Sequence, residues 1–250
     1  MTRERSEQDL TTSPIAARLK AVRQRIHSAA QRAGRAPGDV TLVAVSKTQP
    51  LTALECALAA GQTRFGESYV QEAVKKITAL GRDAVEWHFV GVLQANKTRA
   101  VAAHFHWVHS VDRLKTARRL NDQRPAELPP LNVCLQVNIG GESQKAGIGP
   151  AELAGLAAAV DEELPRLRLR GLMALPPRTS NPDAQREHFR RVRHLQEQLI
   201  ARGHPLDTLS MGMSGDLESA ITEGATLIRL GTAVFGARPG GRTPTGRPHV

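Results

Sequence analysis

The sequence predicts an α/β protein, a single (β/α)8 barrel of the TIM type with an extra N-terminal helix, and three observations predict it. Eight short β-branched or apolar runs alternate with segments of helical period from one end of the chain to the other. A length of 250 residues suits one such barrel. The chain also lacks the early GxGxxG turn of an open doubly wound sheet and the GxxxxGK[ST] phosphate loop.

Residues 1–13 are polar and charged and are expected to be a disordered tail. Helix 14–33 starts at Pro14, whose fixed φ suits a first helical position, with Ser13 as its cap and Gly34 as its stop. Strand 40–46 then opens the alternation, because VTLVAVS is β-branched and apolar. It is followed by helix 51–60, strand 63–66, helix 70–80, strand 86–91, helix 95–103, strand 106–110 and helix 112–121. The second half repeats the scheme with strand 131–138, helix 150–160, strand 168–174, helix 182–202, strand 207–211, helix 216–223 and strand 226–230. Gly61, Gly81, Gly203 and Gly224 mark helix ends, where a left-handed residue turns the chain into the next strand. The barrel is thus expected over 14–236, and 237–250, rich in Gly, Pro and Arg, as a disordered basic tail.

Composition excludes several function classes. No run approaches the ~18 apolar residues that span a bilayer, and the N-terminus has no apolar signal core, so the cytoplasm is expected and a membrane partner is not. Cys56 and Cys134 lack CxxC spacing or paired histidines and read as buried apolar residues, giving neither a disulfide framework nor a metal site. The net charge of +10 raises the question of nucleic acid, but the basic residues are scattered over several helices and aromatics are only 3%, which favours solvated helix faces. A monomer is expected.

Active sites of such barrels lie at the C-terminal strand ends, and phosphate sites recur after strands 7 and 8. Lys47 closes the first strand. Taken alone, it could be a surface lysine whose stem covers apolar area. After strand 7 come Ser210, Met211, Gly212, Met213, Ser214, Gly215 and Asp216, a turn with two hydroxyls and two glycines that outlines either an anion cradle or a helix cap. Asp216 and Glu218 would have to point away from an anion. Strand 8 delivers Arg229, Leu230, Gly231 and Thr232. Alternation along TLIRLG turns Arg229 into the barrel, where a guanidinium requires either a carboxylate or a bound ligand. An amine beside a phosphate site suggests pyridoxal phosphate (PLP).

With SKT at 46–48, FGESY at 65–69, WHFVG at 87–91, LQANK at 93–97, VHSVDRLK at 108–115, RGLMAL at 170–175, LSMGMSGDLESAI at 209–221 and RLGTAVFGAR at 229–238, the chain resembles the pyridoxal phosphate homeostasis proteins. That family has the fold of the alanine racemase N-terminal barrel. The resemblance covers about residues 14–238. It implies a Schiff base at Lys47, a pyridine-nitrogen partner at Arg229, and phosphate contacts from Ser210, Ser214, Gly231 and Thr232 with adjacent backbone amides, among them those of Met211 and Gly212. One departure is Ser68, where many members carry asparagine.

Chemistry orders the alternatives. A lysine forms an imine only as the neutral amine, and an arginine at the pyridine nitrogen leaves the ring a poor electron sink, which discourages carbanion chemistry. The expected role is a PLP-holding protein of intracellular PLP homeostasis, without substantial catalysis, whose partners would be PLP and PLP-dependent apoenzymes. The competing reading is a small PLP-dependent amino-acid racemase using Lys47 with Tyr69 or His88. Racemisation by two bases needs a group on each face of the substrate, and the sequence holds one tyrosine. Lys97 and Lys145 are the rival amines, and Lys145 could make a second aldehyde contact.

Overall fold

Parallel strands must be joined by crossovers, and with the crossover helices all on the outer side the strands can bury their inner face by curling into a barrel. In the computed structural model, which describes residues 13–141 and 146–237, they do so as a closed barrel in the order β1 to β8. The elements are α1 (Pro14–Arg32), β1 (Thr41–Val45), α2 (Leu51–Ala59), β2 (Arg64–Glu67), α3 (Val70–Leu80), β3 (Glu86–Phe89), α4 (Thr98–His104) and β4 (Trp107–Val111). Then come α5 (Leu114–Gln123), β5 (Leu131–Val137), α6 (Leu153–Glu163), β6 (Leu167–Ala174), α7 (Pro182–Ala201), β7 (Thr208–Ser210), α8 (Leu217–Thr222), β8 (Leu227–Leu230) and α9 (Thr232–Phe235).

Every neighbouring pair is parallel, and β8 closes on β1 with Val43 opposite Arg229. The expected elements all form, to within a few residues at their ends. The turn expected after β8 tightens into the short helix α9. Single 3-10 turns at Ala95–Lys97 and Pro150–Glu152 precede α4 and α6, which shortens both helices at their starts. Ser13, placed by sequence both in the tail and at the cap, is a cap: its side chain accepts from the Ala16 amide at 3.2 Å. The rest of the expected tail at 1–12, and 238–250, lie outside the described residues.

The core has two compartments. Outward strand residues such as Leu42, Phe65, Phe89 and Ile228 pack against the helices, while Val43, Trp107, Cys134, Met173 and Leu227 form a separate cluster inside the barrel. Cys56 and Cys134 are both free and buried. A bulge in β6 adjusts the alternation, since Val133 pairs with Leu169 but Cys134 pairs with Gly171. It puts Arg170 and Met173 inside, with Leu172 on the helix side. Gly171 lies in left-handed space at φ 155°, and a Cβ there would stand 1.8 Å from the Thr208 carbonyl oxygen. Among the described residues no helix is long and apolar enough to cross a membrane.

Candidate functional site

The C-terminal strand ends surround a cavity of about 810 Å³, lined by Lys47, Ser68, Arg178, Ser214, Arg229 and Thr232 among others. That size falls within the usual range for small-molecule sites. Lys47 enters from the end of β1 and is held by its neighbours along the chain. The Ser46 carbonyl accepts from Lys76 Nζ at 2.7 Å, and the Thr48 amide donates to Glu72 Oε1 at 2.6 Å. Lys76, itself buried, also donates to Glu67 Oε1 at 2.7 Å and Glu72 Oε1 at 2.6 Å. Burial raises the pKa of Glu67 and Lys76 opposes that rise. Thr48 takes a positive φ of 64°, an unfavourable state for a β-branched residue that persists where surrounding bonds over-determine it. The amine is therefore carried on a clamped loop.

At the cavity floor Arg229 points inward. Its Nη1 donates to Ser210 Oγ at 2.6 Å and its Nη2 to the Ala174 carbonyl at 3.0 Å. Of the two partners expected for an inward guanidinium, no carboxylate among the described residues pairs with it. Burial pushes the Arg229 pKa down, to about 10, so the cation survives at neutral pH. A guanidinium has five N–H groups, so donors remain for a ligand.

The two turns after β7 and β8 supply the polar wall. Asp216 curls back so that its carboxylate accepts from the Met213 amide at 2.6 Å, and although it stands at the N-cap of α8 its side chain makes no capping bond to the first-turn amides. Glu218 points away to Arg25, with contacts of 2.6 and 2.7 Å. Among the described residues, the amides of Ser214 and Gly215 have no main-chain partner. Gly231 lines the cavity with its backbone, and a Cβ there would come 3.1 Å from the Val45 carbonyl. Of the two readings the sequence left open for this turn, the side-chain helix cap does not form, and the Asp216 carboxylate instead closes the turn on itself.

Lys47, Ser214, Arg229, Gly231 and Thr232 are brought together around the cavity, and Ser210, Met211 and Gly212 are not. The Ser210 side chain, expected beside a phosphate, is fully buried inside the barrel because strand alternation at the end of β7 turns it inward, where Arg229 and His109 engage its hydroxyl. Met211 is buried in the outer core, and Gly212 accepts the Arg229 amide on its carbonyl. Gly212 has φ 97°, and a Cβ would stand 2.7 Å from Ala220 Cβ and Ile228 Cδ1, so its role is close packing. His88, considered for the barrel top, is fully buried in the interior, and Tyr69 is 54% exposed outside the lining. Lys97 does not line the cavity, and Lys145 lies outside the described residues. Sequence reasoning missed Arg178, Thr179 and Ser180 of the β6–α7 loop. PPRTS offers neither period nor glycine to mark it.

Comparisons with known proteins identify the family and the fold. The family model described as "Alanine racemase, N-terminal domain" matches residues 17–239. A protein named pyridoxal phosphate homeostasis protein from Pseudomonas aeruginosa is 57% identical over 226 residues, covering 90% of this chain and 96% of that one. Its namesake in Escherichia coli is 56% identical over 227 residues, with 90% and 97% covered. Among solved structures, PipY of Synechococcus elongatus with PLP bound superposes with a TM-score of 0.77 at 37% identity, covering 89% of this chain and all of that one (100%). Alanine racemase from Corynebacterium glutamicum shares the fold, with a TM-score of 0.64 at 18% identity over 88% of this chain and 62% of that one.

Proposed function

Because this chain belongs to the pyridoxal phosphate homeostasis family, with its alanine racemase N-terminal domain, we propose that residues 14–236 bind PLP in the barrel mouth and serve its homeostasis rather than a reaction of their own. The observation that carries the reading is the convergence of Lys47, Arg229 and the turns after β7 and β8 on one cavity. The residues fit the group: an amine for an aldehyde, a cation for a ring nitrogen, and amides and hydroxyls for a phosphate. When bound, PLP supplies a reactive aldehyde and an electron-accepting ring.

Lys47 would hold the aldehyde of the cofactor through its amine, which the clamped Ser46–Thr48 loop presents at a fixed place. The backbone at Gly231 and the Ser214 and Thr232 hydroxyls hold the phosphate, with the free amides of the Ser214 turn. Ser210 acts one step back, by orienting Arg229. Arg229, a permanent donor at the cavity floor, would hold the ring nitrogen and keep a proton off it, which would weaken the ring as an electron sink. Neither Tyr69 nor His88 reaches the cavity, so the racemase reading lacks its second base. The protein works in the cytoplasm as a monomer, and its recipients are PLP-dependent apoenzymes.

The test is to load the protein with PLP, incubate it with an apoenzyme and follow the regained activity, alongside loss of α-hydrogen from a panel of amino acids. Transfer without turnover is expected. Robust turnover that Tyr69→Phe abolishes would replace the carrier with an enzyme. A second test addresses the phosphate wall. Charge-assisted hydrogen bonds contribute roughly 1.5–3 kcal/mol each, so Ser214→Ala combined with Thr232→Val is expected to weaken PLP binding at least about tenfold. Unphosphorylated pyridoxal should bind the variant and the wild type alike, and equal losses for both ligands would assign these residues to the fold.

A further inference from the structure

Inside the barrel, below the cavity, a polar path runs through an otherwise apolar compartment. Arg229 Nη1 donates to Ser210 Oγ at 2.6 Å, and Ser210 Oγ lies 2.7 Å from His109 Nδ1. His109 Nε2 lies 2.9 Å from His88 Nδ1, and His88 Nε2 lies 3.0 Å from Glu86 Oε1, the last at an angle off the ideal hydrogen-bond line. Ser210, His109 and His88 are fully or almost fully buried, while the Glu86 side chain is 35% exposed at the opposite end of the barrel. Trp107 stacks on His88 with centroids 5.4 Å apart and planes 14° apart, and Arg170 covers Trp107 at 4.7 Å. The imidazoles are held in place by packing as well as by polar contacts.

The donor inventory fixes the direction of this path. Arginine has only donors, so Ser210 must accept from it, and its one hydrogen is then free to go to His109 Nδ1. The polarity is set from the other end: a carboxylate only accepts, so His88 carries its proton on Nε2 towards Glu86, its Nδ1 accepts from His109 Nε2, and His109 Nδ1 accepts from Ser210. Burial lowers the pKa of both histidines, His109 well below the ordinary value, so each ring is neutral at pH 7, with one donor and one acceptor. Glu86 is held down at about 2, chiefly by its contact with His88. A cation at one end and a carboxylate at the other thus require one polarity throughout.

We infer that Ser210, His109, His88 and Glu86 are positioning residues for Arg229, a one-way donor relay that fixes the guanidinium at the cavity floor against the ring nitrogen of the bound cofactor. The relay's effect on PLP rests on the binding reading above, whereas its polarity does not. The uncharged rings carry no charge of their own into the barrel. The chain instead transmits orientation, because turning any one ring over would set two donors or two acceptors against each other at a buried contact.

The first test uses the wild-type protein without PLP and labelled with 15N at histidine, so it is independent of the functional reading and of any variant's folding. Both His88 and His109 should be neutral and protonated on Nε2. Protonation of His109 on Nδ1, or a doubly protonated ring, would overturn the relay. The second test titrates PLP into Ser210→Ala and Ser210→Thr. Loss of one charge-assisted bond corresponds to about tenfold, so Ser210→Ala should bind about tenfold more weakly and shift the 15N resonance of ring-labelled PLP, while Ser210→Thr, which keeps the hydroxyl, should match the wild type. Equal impairment in both variants, or none in either, would remove the positioning role. A wild type that takes up no PLP would sink the functional reading and leave the tautomers to decide the relay.

Discussion

Lys47→Ala is expected to be colourless after dialysis against buffer, where the wild type loaded with PLP is yellow and, after borohydride, carries a pyridoxyl group on the peptide containing Lys47. The effect should be all or none, because the covalent link depends on one amine, and of the rival lysines Lys97 stands outside the cavity lining. Weak, phosphate-dependent binding should survive in the variant, since the turns after β7 and β8 are untouched. Peptide mapping by mass spectrometry decides the assignment. An adduct in the wild type that maps mainly to Lys97 or Lys145 would move the site elsewhere.

Gly171→Ala should produce the largest loss of stability among single-methyl additions. The new Cβ would stand 1.8 Å from the Thr208 carbonyl oxygen, and that oxygen is buried main chain that also accepts from Gln196 Nε2 at 3.0 Å. The two nearest atoms, the carbonyl oxygen and carbon of Thr208, are main chain and cannot swing aside as a side-chain tip can, so β6 and β7 must separate. The left-handed φ of 155° adds backbone strain. A cost above about 4 kcal/mol is expected, which places the variant with the most damaging substitutions known in protein cores. Separation of these strands also moves Ser210 and the Ala174 carbonyl, the two groups that hold Arg229, so residual folded protein should bind PLP poorly. Gly155→Ala in α6 is the control. It meets nothing within 4 Å and should be neutral or stabilising by about 0.5–1 kcal/mol. Urea midpoints of the three proteins check the ordering.

Much of this architecture was legible because it rests on local periodicity. Strand runs of three to eight residues, proline at helix starts and glycine at helix ends each leave a mark within one window of sequence. The end of β1 placed Lys47 at the barrel mouth, and the alternation of TLIRLG turned Arg229 inward. Ser210 shows where such reasoning stops. The same alternation applies to it, but a short β7 with three residues in the ladder gave no clear face, and the glycine-rich turn beside it drew the eye to the phosphate. The partners of Arg229 were also hidden, since His109 and Ser210 are 101 positions apart and meet only through closure of the barrel. The extra residue at Gly171 had no sequence signal beyond the glycine itself. The clamp of Lys76 on Glu67 and Glu72 reads in sequence as ordinary helix charge, and only burial distinguishes it.

The seam between β1 and β8 has a further bearing on when the protein becomes competent during synthesis. Lys47 emerges early from the ribosome and Arg229 late, and the two strands that carry them are each other's neighbours in the finished barrel. A nascent chain that lacks β8 has the amine without the cation, without the turn at Gly231 and without a closed wall behind either. Pairings between distant segments are also the slowest to form, because the chain must lose the entropy of the whole intervening loop before the contact repays it. Assembly of the complete candidate site therefore waits for the two ends of the barrel to meet, since β8 is the last strand made and closes on the first.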